Sequence, residues 1–305
     1  MEVSSQGIKE NRINGLDFEI GLFTNLTLDH LDYHKTFEDY FYTKAMFLSH
    51  CKHVIVNSDS NMFYLLNKVI NKKLITFGKT ISKEKPNYYI NNTSYDIERT
   101  CFDLLIDDQN FHIESSMLGE YNIYNVTSFI AIIDLLGYFN NYTLSFLKKK
   151  ISIDGRFEVI ETNKGKFVID FAHTPDGVSN ILSLLDSFKT GKLITVIGMG
   201  GNRDKSKREI VGKILDNMSD VIILTEDNSR NENVIDIIED IKKGITKTNE
   251  VYIIPNRKEA IIKAYSISNK NDIIALLGKG NEKYIETNDK FIYFQDKEEV
   301  YKLGK

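Results

Sequence analysis

The sequence predicts an α/β fold in two domains, and the second half of the chain carries the clearer signal. After residue 151, short runs of β-branched and apolar residues alternate with segments of helical periodicity. Such alternation is typical of parallel sheets built from βαβ units. A length of 305 residues fits two domains of ordinary size. We therefore predict a mixed α/β domain over residues 1–150 and a Rossmann-like α/β domain over residues 151–305.

Within residues 1–150, strands and helices alternate before an antiparallel region. FEIGLFTNL at 18–26 is typical of a buried strand that ends in a polar loop. The stretch from Tyr88 to Glu114 alternates apolar and polar residues, as antiparallel strands do. The other predicted elements are helices at 37–50, 60–70 and 119–139 and short strands at 53–57 and 74–78.

Residues 151–305 predict a repeating strand–helix pattern. Its strands are rich in Ile, Leu and Val and lie at 167–172, 193–201, 221–227, 251–255 and 272–278. The intervening helices lie at 175–188, 207–218, 233–245 and 258–267, and Pro175 opens the first of them, a position where proline is tolerated.

Ligands of such sheets bind at the carboxyl ends of the strands. This rule points to Asp170–His173, Gly198–Arg203, Asp227–Arg230 and Gly278–Glu282. These strand ends contain carboxylates, guanidinium and ammonium groups and glycine turns. They predict a cleft of mixed charge that suits an anionic or zwitterionic ligand.

Composition argues against several classes of protein. Lys and Arg number 39 against 43 Asp and Glu, a formal charge of −4, so a dedicated nucleic-acid binder is not expected. Cys51 and Cys101 lack the spacing of a zinc or redox site and fit the reducing cytoplasm. The chain contains neither a signal-like segment nor the roughly 18 apolar residues of a membrane span.

Nine short strings, in this order, carry a resemblance to a known family. They are MEVSS at 1–5, FTNLTLDHLDYHKT at 23–36, YTKAMF at 42–47, GEYNIYN at 119–125, DGRFEVI at 154–160, DFAHTPD at 170–176, GMGGNRDKSKR at 198–208, EDNSR at 226–230 and GKGNE at 278–282. Together they resemble the Mur ligases, in the MurE branch that adds diaminopimelate. The resemblance extends over nearly the whole chain.

The resemblance implies an ATP- and Mg²⁺-dependent amide ligase of peptidoglycan synthesis. ATP would phosphorylate a carboxylate of UDP-MurNAc-L-Ala-D-Glu, and an amine of meso-diaminopimelate would attack the acyl phosphate. Family members have a uridine-nucleotide domain and then an ATPase domain that opens with a GTNGKT-like phosphate loop. The chain contains no Gly-Lys-Thr loop. Residues 1–150 would therefore be part of the central ATPase domain, and residues 151–305 the amino-acid-binding domain.

The missing loop allows two interpretations, and a related ligase is a third. The chain is expected to be a fragment of a cytoplasmic, monomeric ligase, inactive by itself and without membrane or nucleic-acid partners. The alternative is a non-catalytic remnant or paralogue that binds diaminopimelate or a muropeptide. A folylpolyglutamate or cyanophycin synthetase is disfavoured by DNSR and GKGNE. Met1 is open to interpretation as a true start, an internal methionine or a frameshift product.

The resemblance also implies roles near the amino end. Glu2 and His30 match magnesium contacts, although Glu2 could be a solvated carboxylate and His30 a packing histidine. Lys44 matches a catalytic lysine that is carbamylated, which would replace an ammonium by an anion; otherwise it is a surface lysine. Ser4 and Arg12 match positions that hold UDP-MurNAc-dipeptide.

The remaining candidates fall into two groups. The expected ATP contacts are Asn125, Arg156, Asp170 and His173, with Asn122 as a neighbour or a helix cap. Arg156 could instead form a linker salt bridge, and His173 could be satisfied by backbone. The expected diaminopimelate contacts are Arg203, Asp227, Asn228, Arg230, Gly278 and Glu282. Lys205 and Lys207 are expected to lie in a solvated basic turn.

Arg230 carries the choice of amino acid. Diaminopimelate has a distal carboxylate that a guanidinium can bind through two hydrogen bonds. Lysine lacks it, which would leave a buried Arg230 unpaired at a cost of a few kcal/mol. Ser229 stands where the family has proline, so the backbone before Arg230 is expected to be less constrained.

Overall fold

The computed structural model describes residues 1–27, 31–82, 84–96, 98–149, 153–247 and 250–303. The chain divides into two compact units, Met1–Ile151 and Ser152–Lys305. Both units combine a six-stranded sheet with helices. None of the helices among the described residues has the length and apolar character needed to cross a bilayer.

In the first unit the strands pair in sequence order. Its strands are β1 (Ile20–Phe23), β2 (His53–Asn57), β3 (Ile75–Gly78), β4 (Tyr88–Tyr95), β5 (Thr100–Ile106) and β6 (Gln109–Ser115). β1 to β4 pair in parallel, and β4 to β6 pair antiparallel, which confirms the alternation predicted between Tyr88 and Glu114.

The helices of the first unit cover both faces of its sheet. They are α1 (Ser5–Lys9), α2 (Leu31–His34), α3 (Phe37–His50), α4 (Phe63–Val69), α5 (Glu120–Leu135) and α6 (Asn141–Leu147). On one face, α5 buries Ile123, Val126 and Ile130 against Ile55 of β2 and the antiparallel strands. On the other face, apolar residues of α3 and α4 pack against alternate residues of β2. α5 ends earlier than predicted because Gly137 adopts φ 78° and turns the chain.

The second unit is a doubly wound sheet. Its strands are β7 (Glu158–Glu161), β8 (Gly165–Asp170), β9 (Leu193–Ile197), β10 (Val221–Leu224), β11 (Val251–Ile253) and β12 (Asp272–Leu277), in the spatial order β11-β10-β9-β12-β8-β7. Only β7 runs antiparallel to its neighbour. A separate hairpin follows, formed by β13 (Tyr284–Thr287) and β14 (Lys290–Tyr293).

Helices lie on both faces of this second sheet, as the Rossmann-like prediction requires. They are α7 (Pro175–Phe188), α8 (Ser206–Met218), α9 (Val234–Lys242), α10 (Arg257–Ile267) and α11 (Asp296–Leu303). Apolar residues of α7, α8 and α9 form one core with the sheet. Those of α10 and α11 form a second core on the opposite face. Four neighbouring strands carry the candidate residues at their carboxyl ends, and they lie in the order β10, β9, β12 and β8.

Candidate functional site

The candidate amino-acid pocket lies where β10 and β12 end, and Gly278 permits their close approach. Gly278 has φ 102°, in the region that favours glycine. A Cβ placed there would lie 2.8 Å from Oδ2 of Asp227 and 3.2 Å from the carbonyl oxygen of Gly198. Gly278 therefore serves the pocket through its missing side chain.

Lys279 lies at the centre of this pocket and is completely buried. Its Nζ lies 3.4 Å from Oδ1 of Asp227, 3.3 Å from Oδ1 of Asn228 and 3.3 Å from Oε2 of Glu282. The Asn228 amide completes the cluster by donating to Oε2 of Glu282 at 2.8 Å. Three of the residues predicted to hold diaminopimelate are thus joined through one buried ammonium.

Arg230 follows this cluster and already has an acidic partner. Its Nε lies 3.1 Å from Oε2 of Glu286, and its Nη1 donates to the carbonyl of Gly201 at 2.8 Å. The Arg230 side chain is 22% exposed. The expectation that Arg230 would be unpaired without a substrate carboxylate is therefore wrong, because Glu286 on the hairpin neutralises it.

The backbone at Arg230 is tightly held even though Ser229 replaces proline. Arg230 has φ 50°, in the left-handed region that is unusual for a residue with a side chain. Its N–H donates to the backbone carbonyl of Glu286 at 3.0 Å, and its own carbonyl accepts from the N–H of Asn288 at 2.8 Å. The buried Ser229 hydroxyl lies 3.2 Å from that of Thr287. The hairpin therefore supplies the constraint that proline would have supplied.

The loop after β9 is fastened to the loop after β10. The N–H of Gly201 donates to the Asn228 carbonyl at 2.9 Å, and a Cβ at Gly201 would meet the Ser229 oxygen at 1.9 Å. Arg203 is exposed on this loop, beside Gly200. The loop thus presents a second guanidinium on the side of the pocket where Arg230 lies.

A buried arginine, Arg208, holds these two loops together. Its guanidinium donates to both carboxylate oxygens of Glu232 at 3.0 Å, to Asp240 at 3.1 Å and to the Gly200 carbonyl at 3.3 Å. Hydrogen bonding with Arg208 lowers the pKa of Glu232 to about 2, although burial opposes the shift. Lys207 is also buried, so the expectation of a solvated turn is wrong for it, whereas Lys205 is exposed and pairs with Glu232.

Asp170 ends β8, the next strand beyond β12. It accepts from the N–H groups of Phe157 and Ala172 at 2.8 Å, yet burial raises the pKa of its carboxyl. Arg156 places its guanidinium 4.7 Å from the centre of the Phe171 ring. His173 is exposed, and its Nδ1 lies 3.0 Å from the Phe171 carbonyl. Asp170 and His173 belong to the segment 170–173, and Arg156 packs against Phe171 of that segment. The three candidate side chains therefore lie around one strand end.

In the first unit, Lys44 lies on α3 against the amino-terminal segment. Its Nζ donates to the Val3 carbonyl at 2.8 Å. Burial lowers the pKa of the Lys44 amine, and the nearby Glu2 carboxylate opposes that shift. Lys44 is therefore half-buried beside a carboxylate and does not have the surface environment that was its alternative. His30, the other expected metal contact, lies outside the described residues.

The remaining candidates of the first unit are more exposed. Ser4 is the N-cap of α1, and its Oγ accepts from the Gly7 N–H at 3.0 Å. Arg12 pairs with Glu10 and is 66% exposed at its side chain. Within the described ranges, no group of three His, Cys, Asp or Glu residues is arranged to hold a metal ion.

Asn125 is exposed on α5 and donates to Asn122 at 3.0 Å. Asn122 is buried and donates to the Leu118 carbonyl at 2.8 Å, so it supports Asn125. The N-cap of α5 is Gly119, which excludes the alternative of Asn122 as the cap. Asn125 is thus presented outward by a neighbour that is itself held in place.

The sequence reasoning missed several members of the pocket. Lys279 stood inside the GKGNE string without a role, and its position between two glycines at a strand end was the available signal. Glu286 and the Arg208–Glu232 pair gave no such signal, since their partners lie 24 or more residues away in sequence.

Comparison with known proteins decides the family. The model of the Mur ligase middle domain matches residues 1–133, and that of the Mur ligase glutamate ligase domain matches residues 155–280. The chain belongs to the Mur ligase family. Both matches agree with the mixed and doubly wound sheets described above.

Two curated relatives of this Mur ligase chain are named diaminopimelate ligases. A Clostridium acetobutylicum protein, UDP-N-acetylmuramoyl-L-alanyl-D-glutamate–2,6-diaminopimelate ligase 1, is 41% identical over 303 residues, which are 98% of this chain and 62% of that protein. The diaminopimelate ligase of Aquifex aeolicus is 38% identical over 304 residues, 99% of this chain and 62% of its own length. The Mur ligase chain thus spans about three-fifths of these relatives.

Solved structures agree with the fold. The structure of a UDP-N-acetylmuramoyl-L-alanyl-D-glutamate–2,6-diaminopimelate ligase is 32% identical with a TM-score of 0.61, covering 99% of this chain and 63% of that one. The MurF ligase of Thermotoga maritima in complex with ADP has a TM-score of 0.69 at 18% identity, covering 90% of this chain and 61% of that one. At that identity the likeness to MurF concerns the fold alone.

Proposed function

We propose that this chain carries the amino-acid pocket and part of the ATPase site of a ligase that joins meso-diaminopimelate to UDP-MurNAc-L-Ala-D-Glu. In this proposal residues 1–150 belong to the central ATPase domain and residues 151–305 form the amino-acid-binding domain. The protein would act in the cytoplasm, where ATP and the nucleotide-linked precursor are made. The arrangement of Arg230 beside the Asp227–Lys279–Glu282 cluster is the single observation that carries the proposal.

The charges of this arrangement match a free amino-acid head. Asp227 and Glu282 share one buried ammonium, so their cluster has one negative charge left to accept a substrate ammonium. Arg230 is neutralised by Glu286 but lies beside the loop that carries Arg203. A distal carboxylate can bind on that side. Diaminopimelate has both groups at its distal end, whereas lysine has only the ammonium.

Lys44 and Glu2 are the residues that would serve a magnesium ion. A carboxylate oxygen of Glu2 is a ligand that Mg²⁺ prefers. The lowered pKa of Lys44 favours the neutral amine, the form that reacts with carbon dioxide to give a carbamate. That product is an anion, which the metal environment favours. The ion, when bound, would neutralise phosphate charge during formation of the acyl phosphate.

The other candidates would bind the two large substrates. Asn125, which is exposed on α5, would contact adenine, and Arg156, Asp170 and His173 would contact the phosphates of ATP. Ser4 and Arg12 would hold UDP-MurNAc-dipeptide. The Ser4 oxygen already caps α1, so its hydroxyl is oriented to donate its proton to a ligand.

Calorimetric titration of the 305-residue chain tests the proposal. We expect meso-diaminopimelate to bind more tightly than L-lysine, and L-alanine and D-glutamate to bind more weakly than either. Lys213→Ala, which changes an exposed lysine on α8, is the control and should keep the same order. Equal binding of all four amino acids, or stronger binding of lysine, would refute the assignment. Binding by the whole protein without ligation would instead support the non-catalytic alternative.

A further inference from the structure

The ammonium of Lys279 is buried away from solvent, and its hydrogen bonds within the described part of the chain go to side chains and not to the backbone. Its side chain is fully buried, and its hydrogen-bond partners are the side chains of Asp227, Asn228 and Glu282. A buried charge is costly unless it is paired and hydrogen-bonded. The hydrogen bonds that stabilise this ammonium therefore come from residues of the candidate amino-acid site.

Two further charged residues, Arg257 and Glu226, lie near this cluster and interact electrostatically with Asp227. Arg257 is fully buried and pairs with Asp296 at 2.7 Å, and it also donates to the Leu277 carbonyl at 3.0 Å. Glu226 accepts from the Arg257 N–H at 3.2 Å. On the remaining side, the Tyr284 ring lies 5.9 Å from the Lys279 Nζ. Lys279 is thus the cation that is hydrogen-bonded to both Asp227 and Glu282.

We propose that Lys279 is a positioning residue that sets the charge of the amino-acid pocket, reducing two carboxylates to one net negative charge. The inference rests on the proposed function and adds to it a reason for the zwitterion preference. With Lys279 present, the cluster accepts one ammonium and does not repel the substrate's distal carboxylate. Without it, Asp227 and Glu282 would face each other across the same space as two like charges.

Removal of Lys279 is therefore expected to change proton release on substrate binding, which a loss of packing alone would not do. In Lys279→Met, the two close carboxylates lose the cation that they share, which favours the uptake of a proton by the pair. A substrate ammonium favours the ionised pair, so binding to this variant is expected to release the proton that the pair has taken up. The wild-type pocket has no such proton to release. Proton release on binding can be measured by titration in buffers of different ionisation enthalpy.

The experiment is titration of the full 305-residue chain with meso-diaminopimelate at pH 7 in two such buffers. We expect Lys279→Met to weaken binding about tenfold or more, as loss of a buried charged partner does, and to release up to about one proton per site. Lys279→Arg should release none. The double variant Lys279→Met/Asp227→Asn removes one positive and one negative charge together, so any diaminopimelate that it binds should be taken up without proton release.

Each outcome decides the inference. If the wild-type chain does not bind diaminopimelate, the proposed function fails and the role of Lys279 fails with it. If the wild type binds and Lys279→Met binds equally well, Lys279 only fills space and the inference alone is overturned. The same conclusion follows if Lys279→Met and Lys279→Arg lose affinity alike without proton release. Failure of the charge-balanced variant to fold would overturn it equally, since a lysine needed for charge can be removed with its counter-charge.

Discussion

Replacement of Glu232 by Gln tests how the two pocket loops are held together. Glu232 is 15% exposed at its side chain and binds Arg208, which is 1% exposed, through both carboxylate oxygens. It also accepts from the Asn202 N–H at 2.6 Å and pairs with Lys205 at 2.9 Å. The amide of glutamine cannot accept at both positions, so Arg208 and the Gly200–Asn202 turn lose their common anchor.

The magnitude follows from the pKa of Glu232, which falls from 4.5 to about 2. At about 1.36 kcal/mol per pH unit, a shift of this size corresponds to roughly 3 kcal/mol of folding free energy. Because a depressed carboxyl pKa stabilises the fold only when the group is ionised, the contribution is full above pH 4.5 and is lost as the pH falls towards 2. We expect Glu232→Gln to lower the free energy of unfolding by about 2–3 kcal/mol at pH 7.

The assay is urea unfolding followed by circular dichroism at pH 7, 5, 4 and 3. The difference between wild type and Glu232→Gln should stay constant down to about pH 5 and shrink below it. The control is Glu209→Gln on α8, where an exposed ion pair with Lys213 is lost. That variant should be indistinguishable from wild type. A Glu232→Gln deficit that stays unchanged from pH 7 to pH 3 would show that ionisation of Glu232 is not the source of stability.

Further predictions concern the carbamylation of Lys44, the space at Gly278 and the ligase activity of the chain. Carbon-13 bicarbonate should give a carbamate NMR signal on Lys44 that appears at lower pH than for exposed lysines, because its amine pKa is lowered; its persistence in Lys44→Ala would refute the assignment. Gly278→Ala should lose diaminopimelate binding through contact with Asp227, and unchanged calorimetric affinity would refute that. A polypeptide of these 305 residues, which lacks a Gly-Lys-Thr phosphate loop, should show no ATP-dependent ligation in a product assay.

Local patterns were enough to predict the helices and strands that hold the site. The helix Phe37–His50 follows from the helical spacing of its apolar residues, and the strand His53–Asn57 follows from its short β-branched run. The strand-end rule then brought together Asp227, Asn228 and Glu282, because it needs only the order of parallel strands. Local sequence therefore places the candidate pocket on the sheet.

Elements that depend on distant partners were missed. β7 is only four residues long and owes its existence to antiparallel pairing with β8. The β13–β14 hairpin exposes most of its residues, so it lacks a strong apolar pattern. The pairing of Arg230 with Glu286 depends on that hairpin. The sequence therefore could not show that Arg230 is paired in the absence of a substrate carboxylate. The periodicity of a short segment does not predict contacts between residues that are far apart in sequence.

The most direct test of the central claim is a thermodynamic cycle between Arg230 and the substrate's distal carboxylate. L-Lysine lacks only that carboxylate, so calorimetry with both amino acids on wild type and Arg230→Ala isolates the interaction. Because Arg230 keeps Glu286 when lysine is bound, we expect a coupling of roughly 1.5–3 kcal/mol, or about 10- to 100-fold in affinity. Arg230→Ala should lose affinity for meso-diaminopimelate and change little towards lysine. Equal losses for both amino acids, and hence no coupling, would contradict the claim that Arg230 selects the substrate.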